Sequence, residues 1–143
     1  MDLNTAYLNS VVDQMIVVAS LLGGFSIAIV ANLLTFNTTN KIFDYIFKAT
    51  TLAASCFLVS VFAMTKIVKM TTEGYPKKAT LIGLETANYI SSISFLLGIV
   101  FLCLVIGLSG WTKSKKMGFF TTAVGLFTCL LILMTMMTIQ VSV

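Results

Sequence analysis

Arginine and histidine are missing from this chain, proline occurs once, and the acids number five in 143 residues. Without histidine the commonest general base and the commonest metal ligand are gone. Three of the acids, Asp2, Asp44 and Glu73, fall in the tail or in short connections, where a carboxylate is solvated. No phosphate-cradling glycine loop occurs, because Gly23-Gly24 lacks the flanking pattern of a dinucleotide or P-loop motif. The chain is therefore expected not to be an enzyme, and to need no cofactor and no metal.

Charge as a whole is also scarce. Charged residues make up 10% of the chain, against about 25% in an ordinary soluble domain. Hydrophobic residues make up 58%. So few charges cannot cover that much apolar surface in water, whereas lipid solvates it directly. The formal charge of +4 comes entirely from lysines set in short clusters between apolar runs. No basic face interleaved with aromatics appears, so nucleic acid is not an expected partner. Lysines in such places flank membrane spans.

Four strongly apolar stretches are long enough to cross hydrocarbon, which takes about 20 residues of helix. Their expected limits are residues 12–36, 45–68, 86–109 and 117–140. Lys48 and Lys66 bracket the uncharged centre of the second, Ala49 to Thr65, and can snorkel to the interfaces. Tyr89 and Trp111 stand near the ends of the third, where aromatic rings anchor spans. The stretches are too long for barrel strands and do not alternate polar with apolar, so helix is the remaining way to satisfy the backbone. The connections are short, the longest being 69–84 with Gly74, Tyr75 and Pro76. The expectation is an all-α, four-helix transmembrane bundle in one domain, residues 1–143, that assembles as a symmetric homo-oligomer. The start of the chain carries Asp2 and no lysine before residue 10, which does not suit a cleavable signal peptide.

Orientation is not decided by lysine count. Lys41, Lys48, Lys113, Lys115 and Lys116 belong to the first and third connections, and Lys66, Lys69, Lys77 and Lys78 to the second. Four spans place both termini on one side. Cys56, Cys103 and Cys129 each lie near the middle of a different apolar run and are expected to pack as small hydrophobes rather than to form a disulfide.

Polar residues within the spans are the informative class, because lipid makes them costly. Asn32 lies eight residues after Gly24 and four after Ala28, so the three drift along one side of a helix, with Leu21 and Thr35 close by. That side suits either a pore with an amide ring near one mouth or a contact between helices. The first span is dense in small residues, including Ala19, Ser20, Gly23, Gly24, Ser26, Ala28 and Ala31, which close packing and a narrow pore would both require. Asp13 and Glu85 stand near the starts of the first and third spans, where a helix N-terminus favours a carboxylate; a pore mouth would also use one. The hydroxyls of the second span, Thr50, Thr51, Ser55 and Ser60, and of the fourth, Thr121, Thr122, Thr128, Thr135 and Thr138, are expected to bond back to their own helices.

The run Leu22-Gly23-Gly24-Phe25-Ser26-Ile27-Ala28-Ile29-Val30-Ala31-Asn32 resembles the pore helix of the Orai calcium channels. That helix has a small-Gly-Phe step, then alternating small and apolar residues, and ends at an acid. The resemblance implies a symmetric oligomer around a pore lined by the first span, with cytosolic termini. Gly24 matches the flexible glycine, Phe25 and Ala28 the narrow apolar section, and Asn32 the selectivity acid. Two departures bear on the ion. Asn32 is not a carboxylate, and Val17 and Asp13 stand where the family has a basic section. The expected function is thus a homo-oligomeric pore or ion channel in the plasma or inner membrane, passive and not calcium-selective. Its lining would be Leu21, Gly24, Phe25, Ala28, Asn32 and Thr35. Two alternatives stand beside it: a non-transporting subunit that binds a protein partner through its loops, and a small proton-coupled exporter using Asp13.

Overall fold

A computed structural model describes residues 3–35, 40–71 and 80–140, with side chains described over 9–35, 40–71 and 83–135. Four helices follow one another: α1 (Leu3–Thr35), α2 (Lys41–Thr71), α3 (Thr80–Ser109) and α4 (Lys115–Gln140). A single 3₁₀ turn, Gly110–Thr112, joins the last two. No strand occurs among the described residues. The segments Asn9–Thr35, Lys41–Thr71, Gly83–Thr112 and Lys115–Thr135 are long and apolar enough to cross a membrane.

Helices α1, α2 and α3 run past the limits expected from hydropathy. An apolar stretch marks only the part of a helix that suits hydrocarbon, while the backbone ladder continues into the polar interface. The start of α2 shows how. The Asn40 side chain accepts from the Ile42 amide at 3.2 Å and its carbonyl accepts from the Phe43 amide at 3.0 Å. Those contacts satisfy amides that a helix start leaves orphaned. Glu73, Gly74, Tyr75, Pro76, Lys77, Lys78 and Asp2 lie outside the described residues.

The chain direction alternates from helix to helix. Thr71 at the end of α2 donates its hydroxyl to Asn9 Oδ1 near the start of α1, at 2.5 Å. Ser60 of α2 donates to the Ser91 carbonyl of α3 at 3.0 Å. Extensive packing joins only neighbours in the chain: α1 to α2, α2 to α3, and α3 to α4. The expected four-helix bundle is thus a three-helix core with α4 laid against the outer side of α3.

Helix α2 is central because its buried residues form one stripe at helical spacing: Ile46, Thr50, Ala53, Ala54, Phe57, Ser60, Met64 and Ile67. Phe57 is fully buried, the largest side chain to be so. It stands between two glycines. A Cβ added at Gly23 of α1 would meet Phe57 Cβ at 3.3 Å, and one at Gly98 of α3 would meet the Phe57 ring at 2.8 Å. Phe95 of α3 meets the ring edge-on, with centroids 6.0 Å apart and planes at 74°. Nearer the start of α1, Val12, Met64, Ile67 and Ala87 make a second cluster from all three helices.

Glycine also sets the contact of α4. A Cβ at Gly125 would stand 2.8 Å from the Cys103 carbonyl oxygen, and one at Gly118 would stand 2.6 Å from the Trp111 ring. The Thr121 hydroxyl donates to the Gly107 carbonyl at 3.0 Å, and the Trp111 indole donates to Thr122 Oγ1 at 3.0 Å.

Phe57→Ala is expected to lower protomer stability by about 3 kcal/mol, the low end for a buried phenylalanine, because unfolding within detergent does not expose the ring to water. Gly98→Val should be at least as damaging through overlap with the ring. Denaturation in mixed SDS micelles, followed by circular dichroism, measures both. Gly24→Val should change stability by no more than about 0.5 kcal/mol, since nothing lies within 4 Å of the added Cβ.

Candidate functional site

Helix α1 presents two faces of opposite fate. Val12, Ala19, Gly23 and Ser26 are buried against the rest of the protomer. Ser26 can be fully buried there because its hydroxyl donates to the Leu22 carbonyl at 2.7 Å and asks nothing of a neighbour. The tandem glycines are divided between the faces. Gly23 abuts Phe57, and Gly24 faces open space.

All six residues expected to line a pore lie on the open side: Leu21, Gly24, Phe25, Ala28, Asn32 and Thr35 are exposed. Ser20 joins them, so Ser20, Gly24, Ala28 and Asn32 recur every fourth residue along an uncovered strip. Such spacing lets a second backbone approach closely. Leu21 and Phe25 flank the strip with bulk. The Thr35 hydroxyl donates to the Asn32 carbonyl at 2.7 Å and is satisfied locally. The Asn32 side-chain amide has no hydrogen-bond partner among the described residues.

Asp13 and Glu85 are exposed and lie at the other end of the molecule, next in sequence or nearly so to Val12 and Ala87 of the second core cluster. They are therefore not part of one mouth with Asn32. Neither is in an ion pair; the only one among the described residues joins Lys48 to Asp44 at 3.3 Å.

The hydroxyls separate into two groups. Thr50, Thr51, Ser55, Thr128 and Thr135 donate to carbonyls three or four residues earlier in their own helices, as expected. The Thr138 side chain lies outside the described ones. Ser60 departs from the expectation by donating to the Ser91 carbonyl of α3. Thr121 and Thr122 also bond back, to the carbonyls of Met117 and Gly118, and reach the Gly107 carbonyl of α3 as well. Glycines at 107, 110, 118 and 125 are the signal that α3 and α4 come close there. An apolar cleft of about 270 Å³ lies between these helices, lined by residues that include Val100, Gly107 and Leu126 and by both Cys103 and Cys129. All three cysteines are free thiols, and no group of three metal-ligating side chains occurs among the described residues.

No protein-family model, curated protein or solved structure matches this chain. The likeness to the Orai pore helix accordingly rests on the α1 residues themselves.

Because Asn32 makes no contact that the protomer needs, Asn32→Leu is expected to leave protomer unfolding within about 0.5 kcal/mol of wild type. Ser60→Ala, which removes a buried bond between helices, should cost about 0.6 kcal/mol, the mean for such bonds in membrane proteins. The same SDS denaturation distinguishes them.

Proposed function

We propose that this chain is the subunit of a homo-oligomeric membrane pore, with the open strip of α1 turned toward the symmetry axis. The observation that carries the reading is the placement of Gly24, Ala28, Asn32 and Thr35 on the one side of α1 that no helix of the protomer covers. A small chain whose helices pack on their neighbours leaves no room for a conduit within itself. A pore built from it forms where copies meet, and cyclic symmetry is the common way for copies to meet.

The chemistry of the strip supports passive permeation. From Gln14 to Asn40 no residue is charged, so the throat would be narrow and largely apolar, with the Asn32 amides as its polar ring. Such a constriction conducts when wetted and closes when water leaves it. Tight, selective binding of a hard divalent cation draws on carboxylate charge, and a ring of Asn32 amides offers only neutral carbonyl oxygens. Calcium selectivity is therefore not part of the proposal, which takes from the Orai resemblance only the arrangement of copies around the first helix. Proton-coupled export is less well supported, because Asp13 lies at the end of its span and no acid occurs deeper in any of the four.

Liposomes containing the purified protein test the reading. Ion flux is expected to be strongly reduced by Ala28→Trp, which fills the throat, and made more cation-selective by Asn32→Asp. In a background where the three native cysteines are replaced, Ala28→Cys should cross-link between copies on mild oxidation. Flux indifferent to both substitutions, with no cross-linked species, would remove α1 from the axis.

A further inference from the structure

The alternating helix directions sort the charges of this protein in a way that counting lysines does not reveal. The ends of α1 and α3 share one end of the molecule with the starts of α2 and α4. That end carries Lys41, Lys48, Lys113, Lys115 and Lys116 against the single acid Asp44, a net of four positive charges. The opposite end carries Lys66 and Lys69 against Asp13 and Glu85, which cancel. The remaining charges, Asp2, Glu73, Lys77 and Lys78, belong to the first residues and to the α2–α3 connection, and they cancel too. The whole formal charge of +4 therefore resides at one end.

The lysines there are not explained by pairing within the chain. Lys48 lies 3.3 Å from Asp44, which leaves Lys41, Lys113, Lys115 and Lys116 exposed and without an ion-pair partner among the described residues. Helix stability does not explain Lys115 and Lys116 either, since they occupy the first turn of α4, where the helix dipole disfavours positive charge. Depth is set by Trp111. Its ring lies over Gly118 and its indole N–H is held by Thr122, while part of the ring remains exposed. An indole so placed belongs at the head-group level. Two residues further on begins the run Lys113, Lys115, Lys116, and the same turn also touches α2, the helix that carries Lys41 and Lys48.

We propose that this end is a binding surface for acidic phospholipid head groups, formed by Lys113, Lys115 and Lys116 around the Trp111 turn and extended by Lys41. It is independent of whether α1 lines a pore. Juxtamembrane lysines each strengthen attraction to an anionic leaflet by about fivefold. The other end, with no net charge, should show no such preference.

Trp111 is the only tryptophan in the chain, so its fluorescence reports the lipids beside this turn and no others. The protein is reconstituted in phosphatidylcholine vesicles containing a minor fraction of brominated phosphatidylglycerol or, separately, of brominated phosphatidylcholine. The expected result is several-fold stronger enrichment of the brominated acidic lipid around Trp111, weakened by raised salt. Lys113→Gln, Lys115→Gln and Lys116→Gln together should bring quenching by the two lipids to equality, whereas Lys66→Gln with Lys69→Gln should leave the preference intact. Circular dichroism checks that the triple variant is folded; if it is not, the salt titration of the wild-type protein decides alone. Equal quenching by the two lipids in the wild-type protein overturns the proposal. So does a preference that survives the triple substitution or is insensitive to salt. Abolition of the preference by millimolar glycerol phosphate would overturn it as well, since the surface would then bind free phosphate rather than a leaflet.

Discussion

The packing of Phe57, its Cβ against Gly23 and its ring against Gly98, is the constraint on which the arrangement of this molecule depends. In lipid there is little hydrophobic force between helices, so association rests on close contact and on the few polar bonds that can be made. A large ring achieves close contact only where the facing helices have no side chain in its way. Gly98 provides that for the ring, Gly23 lets α1 approach the Cβ of the same residue, and Phe95 packs against the ring in an edge-to-face pair. Ser60, one turn further along the same stripe of α2, adds its bond to the Ser91 carbonyl. These contacts fix the rotation of α1 and α3 about their own axes, not merely their positions.

That rotation determines which residues are left over. Adjacent residues on a helix point about 100° apart, so committing Gly23 to Phe57 turns Gly24 out of the protomer. Positions four and eight residues later, Ala28 and Asn32, follow it. The uncovered strip is thus a geometric consequence of the packing of the opposite face. It keeps a polar amide away from the one place in the protomer where an unpaired buried amide would be most costly.

Much of this was legible in the sequence, and the limits of legibility have physical causes. The four spans followed from apolar length, because hydrocarbon thickness is a fixed ruler. The back-bonding of Thr50, Ser55 and Thr128 followed from the reach of a hydroxyl to its own helix. The assignment of Gly23 and Gly24 to different faces did not follow, since it depends on a phenylalanine more than thirty residues away. Nor did the position of α4, because the glycines that bring it onto α3 are spread over α3, the turn and α4, and no single helix shows a pattern. Asp13 and Asn32 stand toward opposite ends of α1, and antiparallel packing brings Glu85 to the Asp13 end.

The outer helix bears on how copies could meet. Helix α4 exposes Phe119, Phe120, Phe127, Leu130 and Met134, while its own glycines, Gly118 and Gly125, are already spent against Trp111 and Cys103. A surface of large, flexible or aromatic side chains packs well against acyl chains and poorly against a second rigid helix backbone. The α1 strip has the reverse character, with backbone accessible at Ser20, Gly24 and Ala28. The open side of α1 thus mixes accessible backbone with bulky Val17, Leu21, Phe25 and Leu34, whereas the exposed side of α4 is dominated by large side chains. For a ring of copies, that difference favours α1 inside and α4 outside: the inverse arrangement would expose the small-residue strip and its amide to acyl chains while pressing the bulky side chains into the contacts near the axis.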